Sequence, residues 1–384
     1  MNPKSILFVG MYPNCINKYR NVFFRNLIYA IADQGIKCTV ISPVPLTRYK
    51  ADTFKIKYHT VDITEKGSEI DVYYPKYISA SSKKIGSWNT ERLSERLFQQ
   101  AAVNAAKRLN NAFDCVYGHF FLYGGLAAIK VGQLLGIPSF FAYGECDFES
   151  QVGNTYGMPN RKELNGLRGI ISVSQKNTRE LKSLGIVDDI PIITAPNSVD
   201  LSLFYKRPQK QCRQKFGLPE DNFIVGFVGG FIERKGDKRL LEAVKRIDGA
   251  YLAFAGRGDN PPSGDKVLFC GALEHEQVAE FLNAVDVFCL PTRSEGSCNA
   301  IVEAAASGLP IISSDLPFND DLLNNENSVR IDPDSVDEIE NAVRQMMDEK
   351  FRKEKAEKVF ADAQNFGIDR RAGNILKFLY DNMK

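Results

Sequence analysis

The sequence predicts two α/β domains in tandem, each a doubly wound, mostly parallel sheet, and three observations carry that expectation. Short β-branched runs alternate with helix-length amphipathic segments along nearly the whole chain. The alternation lapses in a polar stretch, residues 200–221, that holds Lys206, Pro208, Lys210 and Arg213. The 384 residues, 44% of them hydrophobic, are enough for two cores of ordinary size.

Residues 5–10 (SILFVG) read as a buried strand followed by a polar loop over 11–21. A helix over 22–34 puts Phe23, Phe24, Leu27, Ile28 and Ile31 on one face and ends at Gly35. A strand over 38–42 then completes a crossover unit of the kind that joins parallel strands. The pattern recurs as strand 114–118, helix 123–135 and strand 139–143, with a further strand over 169–174. A second series opens with strand 223–228 and helix 237–246, followed by strands 251–255 and 267–270 and helix 275–283. Strand 285–290, helix 299–306, strands 310–313 and 328–331 and helix 336–350 complete it. The expected domains are therefore 1–200 and 201–368, with a helical tail over 369–384 that can lie on either. Ligands of such sheets bind at the carboxyl ends of the strands, so a cleft between two facing domains is the expected site.

The formal net charge is +2, which disfavours a dedicated nucleic-acid binder, and 11% aromatic residues disfavour a disordered chain. The charge is unevenly spread. Residues 1–200 hold 24 Lys/Arg against 17 Asp/Glu, and residues 201–384 hold 25 against 30. Eight cysteines are scattered without a CxxC pair, and several lie in apolar runs, which fits free thiols in a reducing cytosol. No apolar run is long enough to span a bilayer, and the N-terminus does not read as a signal peptide.

The most specific chemical signal is SEGSCNAIVEAAASGLPIISSD, residues 294–315. Glu295 falls in the loop before a helix and Glu303 inside it, with Ser294 or Ser297 as expected N-caps and Gly308-Leu309-Pro310 as the stop. The first turn, Gly296, Ser297, Cys298 and Asn299, offers backbone N–H groups and the positive end of the helix dipole to a diphosphate. Eight positions along a helix span roughly 12 Å, about the separation of the groups on either side of a diphosphate. Two acceptor-only carboxylates so placed suit the hydroxyls at both ends of a nucleotide sugar. Two glutamates on a solvated helix end is the plainer alternative.

A second signal is FVGGFIERKGDKRLLEAV, residues 227–244, where a strand runs into Gly229-Gly230, Arg234 and Lys235 before a helix. Glycine permits close backbone approach and the two cations suit phosphate, though a surface loop carries the same residues. Neither G-x-G-x-x-G nor a P-loop is present, which disfavours a nicotinamide-dependent oxidoreductase. Asp332-Pro333-Asp334 precedes a helix and reads as a capping turn, so no metal site is indicated.

With these residues in view, the chain resembles the GT-B retaining glycosyltransferases of family 4, the glycosyl transferase group 1 set. Glu295, Glu303 and Ala306-Ser307-Gly308-Leu309-Pro310 match its paired-glutamate motif and the turn that follows, and Lys235-Gly236 matches its basic turn. Pro196-Asn197-Ser198-Val199-Asp200 with Phe204 resembles its segment entering the linker, and Asp114 to His119 its D-V-x-x-x-H pattern. The resemblance implies two Rossmann-like domains facing each other across a cleft, with the N-terminal one binding acceptor and the C-terminal one the nucleotide sugar. It further implies that Glu295 contacts the transferred sugar, Glu303 the ribose, and Lys235 the diphosphate leaving group, with no metal or other cofactor and with retention at the anomeric carbon.

Three positions depart from the family pattern. Gly230 stands where Arg is usual, with Arg234 as the substitute. Tyr143-Gly144-Glu145, with Asp147 nearby, stands where many members have His-Gly. The loop over 14–21, ending at Asn21, has no glycine. Asn21, Tyr143, Glu145 and Asp147 are thus the candidates for the acceptor side, and His119, at the end of a strand, is a further catalytic candidate. His59 and His275 read as structural or exposed.

The basic half also suits an anionic membrane surface or a lipid-linked acceptor. Lys18, Arg20 and Arg25 interleave with Tyr19, Phe23 and Phe24, and Arg48, Lys50, Lys55, Lys57, Lys76, Lys83 and Lys84 follow, with Trp88 near. An ordinary solvated face is the alternative. The function expected is sugar transfer from a nucleotide sugar to a lipid-linked or saccharide acceptor in bacterial surface polysaccharide or glycolipid synthesis. It would take place in the cytoplasm or at the inner face of the cytoplasmic membrane. A non-catalytic sugar-nucleotide-binding subunit and a nucleotide-sugar epimerase are the rivals.

Overall fold

The computed structural model describes residues 3–80, 83–85, 88–109, 111–154, 157, 161–185 and 187–383. The chain divides into two compact units, Met1–Ala195 with Ile368–Lys384, and Pro196–Gly367.

The first unit is built on strands β1 (Ser5–Val9), β2 (Lys37–Ile41), β3 (His59–Ile63), β4 (Glu69–Tyr73), β5 (Cys115–His119), β6 (Ser139–Tyr143), β7 (Leu167–Ser172) and β8 (Ile192–Thr194). Their order is β8-β7-β6-β5-β1-β2-β4-β3, parallel except for β3, which pairs antiparallel with β4. Strands β1, β5 and β6 are buried end to end, as central parallel strands covered on both faces must be, and they read as continuous apolar runs. β3 and β4 lie at the edge and alternate with more exposed residues, and their apolar signal is too diluted by charge to announce a strand. Helices α1 (Val22–Ala32), α2 (Glu91–Ala106), α3 (Leu126–Leu135) and α4 (Gln175–Ser183) belong to this unit.

The second unit has six parallel strands: β9 (Phe223–Val228), β10 (Ala250–Ala255), β11 (Val267–Gly271), β12 (Val287–Leu290), β13 (Ile311–Ser314) and β14 (Ser328–Ile331). Their order, β11-β10-β9-β12-β13-β14, reverses direction between β9 and β12. That reversal opens a crevice at the carboxyl ends of those two strands. Helices α5 (Gln209–Phe216), α6 (Asp237–Lys245), α7 (His275–Leu282), α8 (Asn299–Ala306), α9 (Val336–Met347) and α10 (Glu349–Ala363) flank it.

Several local expectations are corrected, and the side on which the helical tail lies is decided. The helix expected over 336–350 breaks at Asp348, whose carboxylate accepts the Phe351 N–H and caps α10. Ser335, not the Asp332-Pro333-Asp334 turn, caps α9. The polar stretch 200–221 contains α5, which belongs to the second unit; its Arg213 is buried and bonds Asp286 at 2.7 Å. The final helix, α11 (Ile368–Asn382), lies on the first unit, because Ala372, Ile375, Leu376 and Leu379 share a core with Phe24 and Ile28 of α1.

Candidate functional site

The loops after β9 and β12 meet at the crevice of the second unit. Glu295 is 8% exposed and its Oε1 accepts three donors: Lys235 Nζ at 2.6 Å, Arg234 at 2.8 Å and the Thr292 hydroxyl at 2.9 Å. Burial works against the Lys235 ammonium, but Cys298 and Glu295 beside it more than offset that and hold its pKa above the ordinary lysine value. Arg239 braces the turn by donating to the carbonyls of Glu233, Pro291 and Pro333. Gly236 takes φ +81°, and a Cβ there would lie 2.4 Å from the Pro291 carbonyl oxygen, so only glycine fits.

The α8 cap is Cys298, with no side-chain cap bond, so the expected serine cap is not made. Ser297 instead ties down Asn197, accepting its N–H at 3.1 Å on the hydroxyl and its side-chain amide at 2.9 Å on the carbonyl. Burial pushes the Cys298 thiol up to about 11, keeping it protonated. Asn299 Oδ1, at the first position of α8, is buried without a hydrogen-bond partner. Glu303 is mostly buried, and its Oε1 lies 3.2 Å from His275 Nε2; the His275 ring packs edge-on to Phe204 at 5.1 Å.

In the first unit the sheet reverses direction between β1 and β5. His119, the last residue of β5, stacks on Phe24 at 4.4 Å and touches Phe23 and Phe120. Burial, with the Arg371 charge adding to it, pulls its pKa down to about 3, so the ring is neutral. The turn Phe120–Gly125 that follows is irregular, with Phe120 at φ 66° and Tyr123 at φ 62°. Two buried carboxylates hold it. Glu145 accepts the Phe121 N–H at 2.6 Å, and both oxygens of Glu95 lie within 2.8 Å of the Tyr123 nitrogen. Burial pushes Glu145 up to about 7 and Glu95 up to about 8. Asn21 adopts the left-handed conformation at the start of α1, and its side-chain amide donates to the Met11 carbonyl at 2.9 Å.

Residues 208–365 match the family model described as Glycosyl transferases group 1. The chain therefore resembles that family over most of its second unit. It is 24% identical over 352 residues, 88% of each chain, to a protein named as a teichuronic acid biosynthesis glycosyltransferase, TuaC of Bacillus subtilis. Its fold is GT-B, like that of sucrose-phosphate synthase from Thermosynechococcus elongatus (TM-score 0.73, 18% identity, 98% of both chains). Anabaena HepE, solved in complex with UDP-glucose, gives a TM-score of 0.68 at 15% identity over 98% of this chain and 99% of that one.

In the second unit, Glu295, Lys235 and Arg234 come together as one cluster, and Cys298 and Asn299 border it on the α8 side. Gly229 and Gly230 lie on the loop after β9, but a Cβ on Gly230 would meet nothing nearer than 3.8 Å, so its lack of a side chain is not a packing demand. The acceptor-side candidates fare differently. Tyr143 is fully buried, its hydroxyl donating to Glu180 at 2.7 Å, and Glu145 faces inward to the Phe120–Gly125 turn; neither presents its side chain to solvent. Asp147 accepts the Ser150 N–H at 2.7 Å, and that bond depresses its pKa. His275 and Glu95 were not singled out by sequence. The signal for His275 was its place at the start of a helix that follows a strand of the same sheet. Glu95 lies in a helix the strand pattern did not mark. Of the aromatics on the expected membrane face, Phe24 is corrected, being fully buried against His119, while Phe23 is half-buried and Tyr19 is exposed; Phe54, outside that set, is exposed too. The side chains of Arg48, Lys50, Lys84 and Trp88 lie outside the described residues.

Proposed function

We propose that this chain is a retaining, metal-independent glycosyltransferase that moves a sugar from a nucleotide-sugar donor to a lipid-linked or saccharide acceptor in bacterial surface polysaccharide or glycolipid synthesis. The observation that carries the reading is the Glu295 carboxylate, held by Lys235 and Arg234 in the loop that enters α8. TuaC's name, teichuronic acid biosynthesis, and the UDP-glucose in the HepE structure support the polysaccharide role and the donor class.

In this reading the two cations and the free N–H groups at the start of α8 take up the charge that develops on the departing diphosphate. Glu295 accepts hydrogen bonds from hydroxyls of the transferred sugar, and Glu303, steadied by His275, accepts from the ribose. The leaving phosphate takes the acceptor's proton as the new glycosidic bond forms on the face the diphosphate leaves. The neutral, enclosed His119 steadies the acceptor side and carries no charge. With positive charge supplied by Lys235 and Arg234, turnover is expected to survive chelators. No helix among the described residues is long and apolar enough to cross a membrane, and we place the protein in the cytoplasm, peripherally on the membrane's inner face.

The test is nucleotide-sugar hydrolysis or transfer by Glu295→Ala and Lys235→Ala. Each is expected to lose about 10²–10³-fold in turnover. Near wild-type turnover in both refutes the site, and a product of inverted anomeric configuration refutes retention.

A further inference from the structure

The sheet of the first unit ends at β3, which pairs antiparallel with β4 and has no strand on its other side. The register decides where its backbone groups point. Thr60 lies opposite Val72 and Asp62 opposite Ile70. Beyond them the Tyr74 N–H donates to the Tyr58 carbonyl at 2.7 Å, and the Thr64 N–H to the Ser68 carbonyl at 3.0 Å. Bonded pairs alternate along an antiparallel ladder, so residues 58, 60, 62 and 64 direct their N–H and C=O groups to β4. His59, Val61 and Ile63 therefore aim theirs outward, and no other described residue bonds them.

The side chains of the same three residues share the outer face of the strand. His59 is exposed, Val61 is 46% exposed and Ile63 62% exposed. Thr60 and Asp62 point the other way, and the Asp62 carboxylate accepts the Tyr12 and Tyr29 hydroxyls at 2.8 and 3.3 Å, so its charge is engaged inside the unit. Sheets commonly blunt an open edge with lysine, proline or a bulge. Residues 59–63, HTVDI, contain neither residue and run in unbroken register.

The edge is complementary to itself. Antiparallel pairing centred on Val61 sets His59 opposite Ile63 of a second copy and Val61 opposite its own counterpart. All three outward residues then fall in bonded pairs, giving about six hydrogen bonds and a cluster of apolar side chains on one face. The same register brings Lys57, exposed just before the strand, towards the second copy's Glu65, exposed just after it, once at each end. Among the described residues neither has an ion-pair partner in its own chain. A twofold axis across an edge produces antiparallel pairing, and such an isologous contact closes at a dimer instead of growing into a fibre.

We propose that two copies of this chain pair edge to edge through β3, joining their sheets into one across a twofold axis at Val61. The inference stands apart from the transferase reading. A strand of five residues makes a small contact, so the dimer forms with Kd on the order of 10 μM.

The test is sedimentation velocity of the full chain from about 1 to 200 μM, a range that brackets that Kd. Wild type is expected to pass from one chain to two. Val61→Lys, which sets two like charges against each other at the axis, is expected to weaken association at least about tenfold at unchanged Tm. Lys57→Glu and Glu65→Lys are each expected to weaken it about fivefold, and the two together to restore it. A chain that stays monomeric throughout, a dimer that Val61→Lys leaves intact, or a double charge reversal as weak as the single ones overturns the proposal. None of these readouts needs donor turnover, so failure here leaves the transferase reading standing, and loss of that reading leaves the dimer to be decided by mass alone.

Discussion

The Glu295 cluster makes an unequal stability prediction for its two ends. At 2.6 Å and an effective dielectric near 20, the Glu295–Lys235 attraction is about 6 kcal/mol gross, most of it offset by the desolvation of two mostly buried groups. What decides the outcome of a substitution is the charge left behind. In Lys235→Met the carboxylate keeps Arg234 and the Thr292 hydroxyl, so the cost is about 1 kcal/mol. In Glu295→Gln the buried Lys235 ammonium loses its carboxylate partner, while Arg234, about a third exposed, turns to solvent at little cost. Breaking a buried pair this way costs about 3 kcal/mol. For a unit of this size these figures correspond to Tm shifts of roughly 2–4 °C and 6–12 °C. Thermal unfolding followed by circular dichroism, with the Lys235→Met/Glu295→Gln double variant completing the cycle, measures both. The double variant should be more stable than Glu295→Gln alone, since it removes the stranded cation. Equal losses in the two single variants, or additive losses in the double, refute the reasoning.

Three further outcomes are expected. Glu95 and Glu145 have folded-state pKa values raised to about 8 and 7 by burial, so the stability they contribute is full below about pH 4.5 and is lost as pH rises through those values. Wild-type Tm should therefore fall between about pH 4.5 and 8, and Glu95→Gln and Glu145→Gln should each make that fall shallower; an unchanged slope in both variants counts against the buried carboxylates. Gly236→Ala should cost at least about 2 kcal/mol in urea unfolding, from its left-handed φ and the Pro291 clash, whereas Gly230→Ala should stay within about 0.5 kcal/mol. Iodoacetamide at neutral pH should label the exposed Cys15 and Cys270 and spare Cys298 until urea unfolds the chain, as peptide mass spectrometry would show; early labelling of Cys298 contradicts its burial.

Much of the fold was legible because central parallel strands are apolar on both faces and so announce themselves as runs. The strands expected over 139–143, 223–228 and 328–331 and the helix over 299–306 have the same bounds in the structure. What escaped was peripheral: the edge pair β3 and β4, and the charged helices α2 and α10, whose apolar faces are narrow. In the candidate site, Glu295, Lys235 and Glu303 could be named because each sits at a fixed offset from a strand end or helix start. His275 could not, since it reaches Glu303 from 28 residues away along the chain.

By itself the sequence determined the two α/β series, the strand ends that carry charge, and the positions where only glycine turns the chain, because each follows from periodicity or local backbone geometry. Tertiary structure alone decided which charges neutralise one another and which aromatics see water. Lys235 and Arg234 share one carboxylate 60 or so residues distant, Phe24 disappears under His119, and Phe54 and Ile78 stay outside. The net charge of +2 hides a similar decision. The two halves of the chain already differ as +7 and −5, and counting the last helix with the unit it packs on, through the burial of Ile375, Leu376 and Leu379, widens that to +10 and −8.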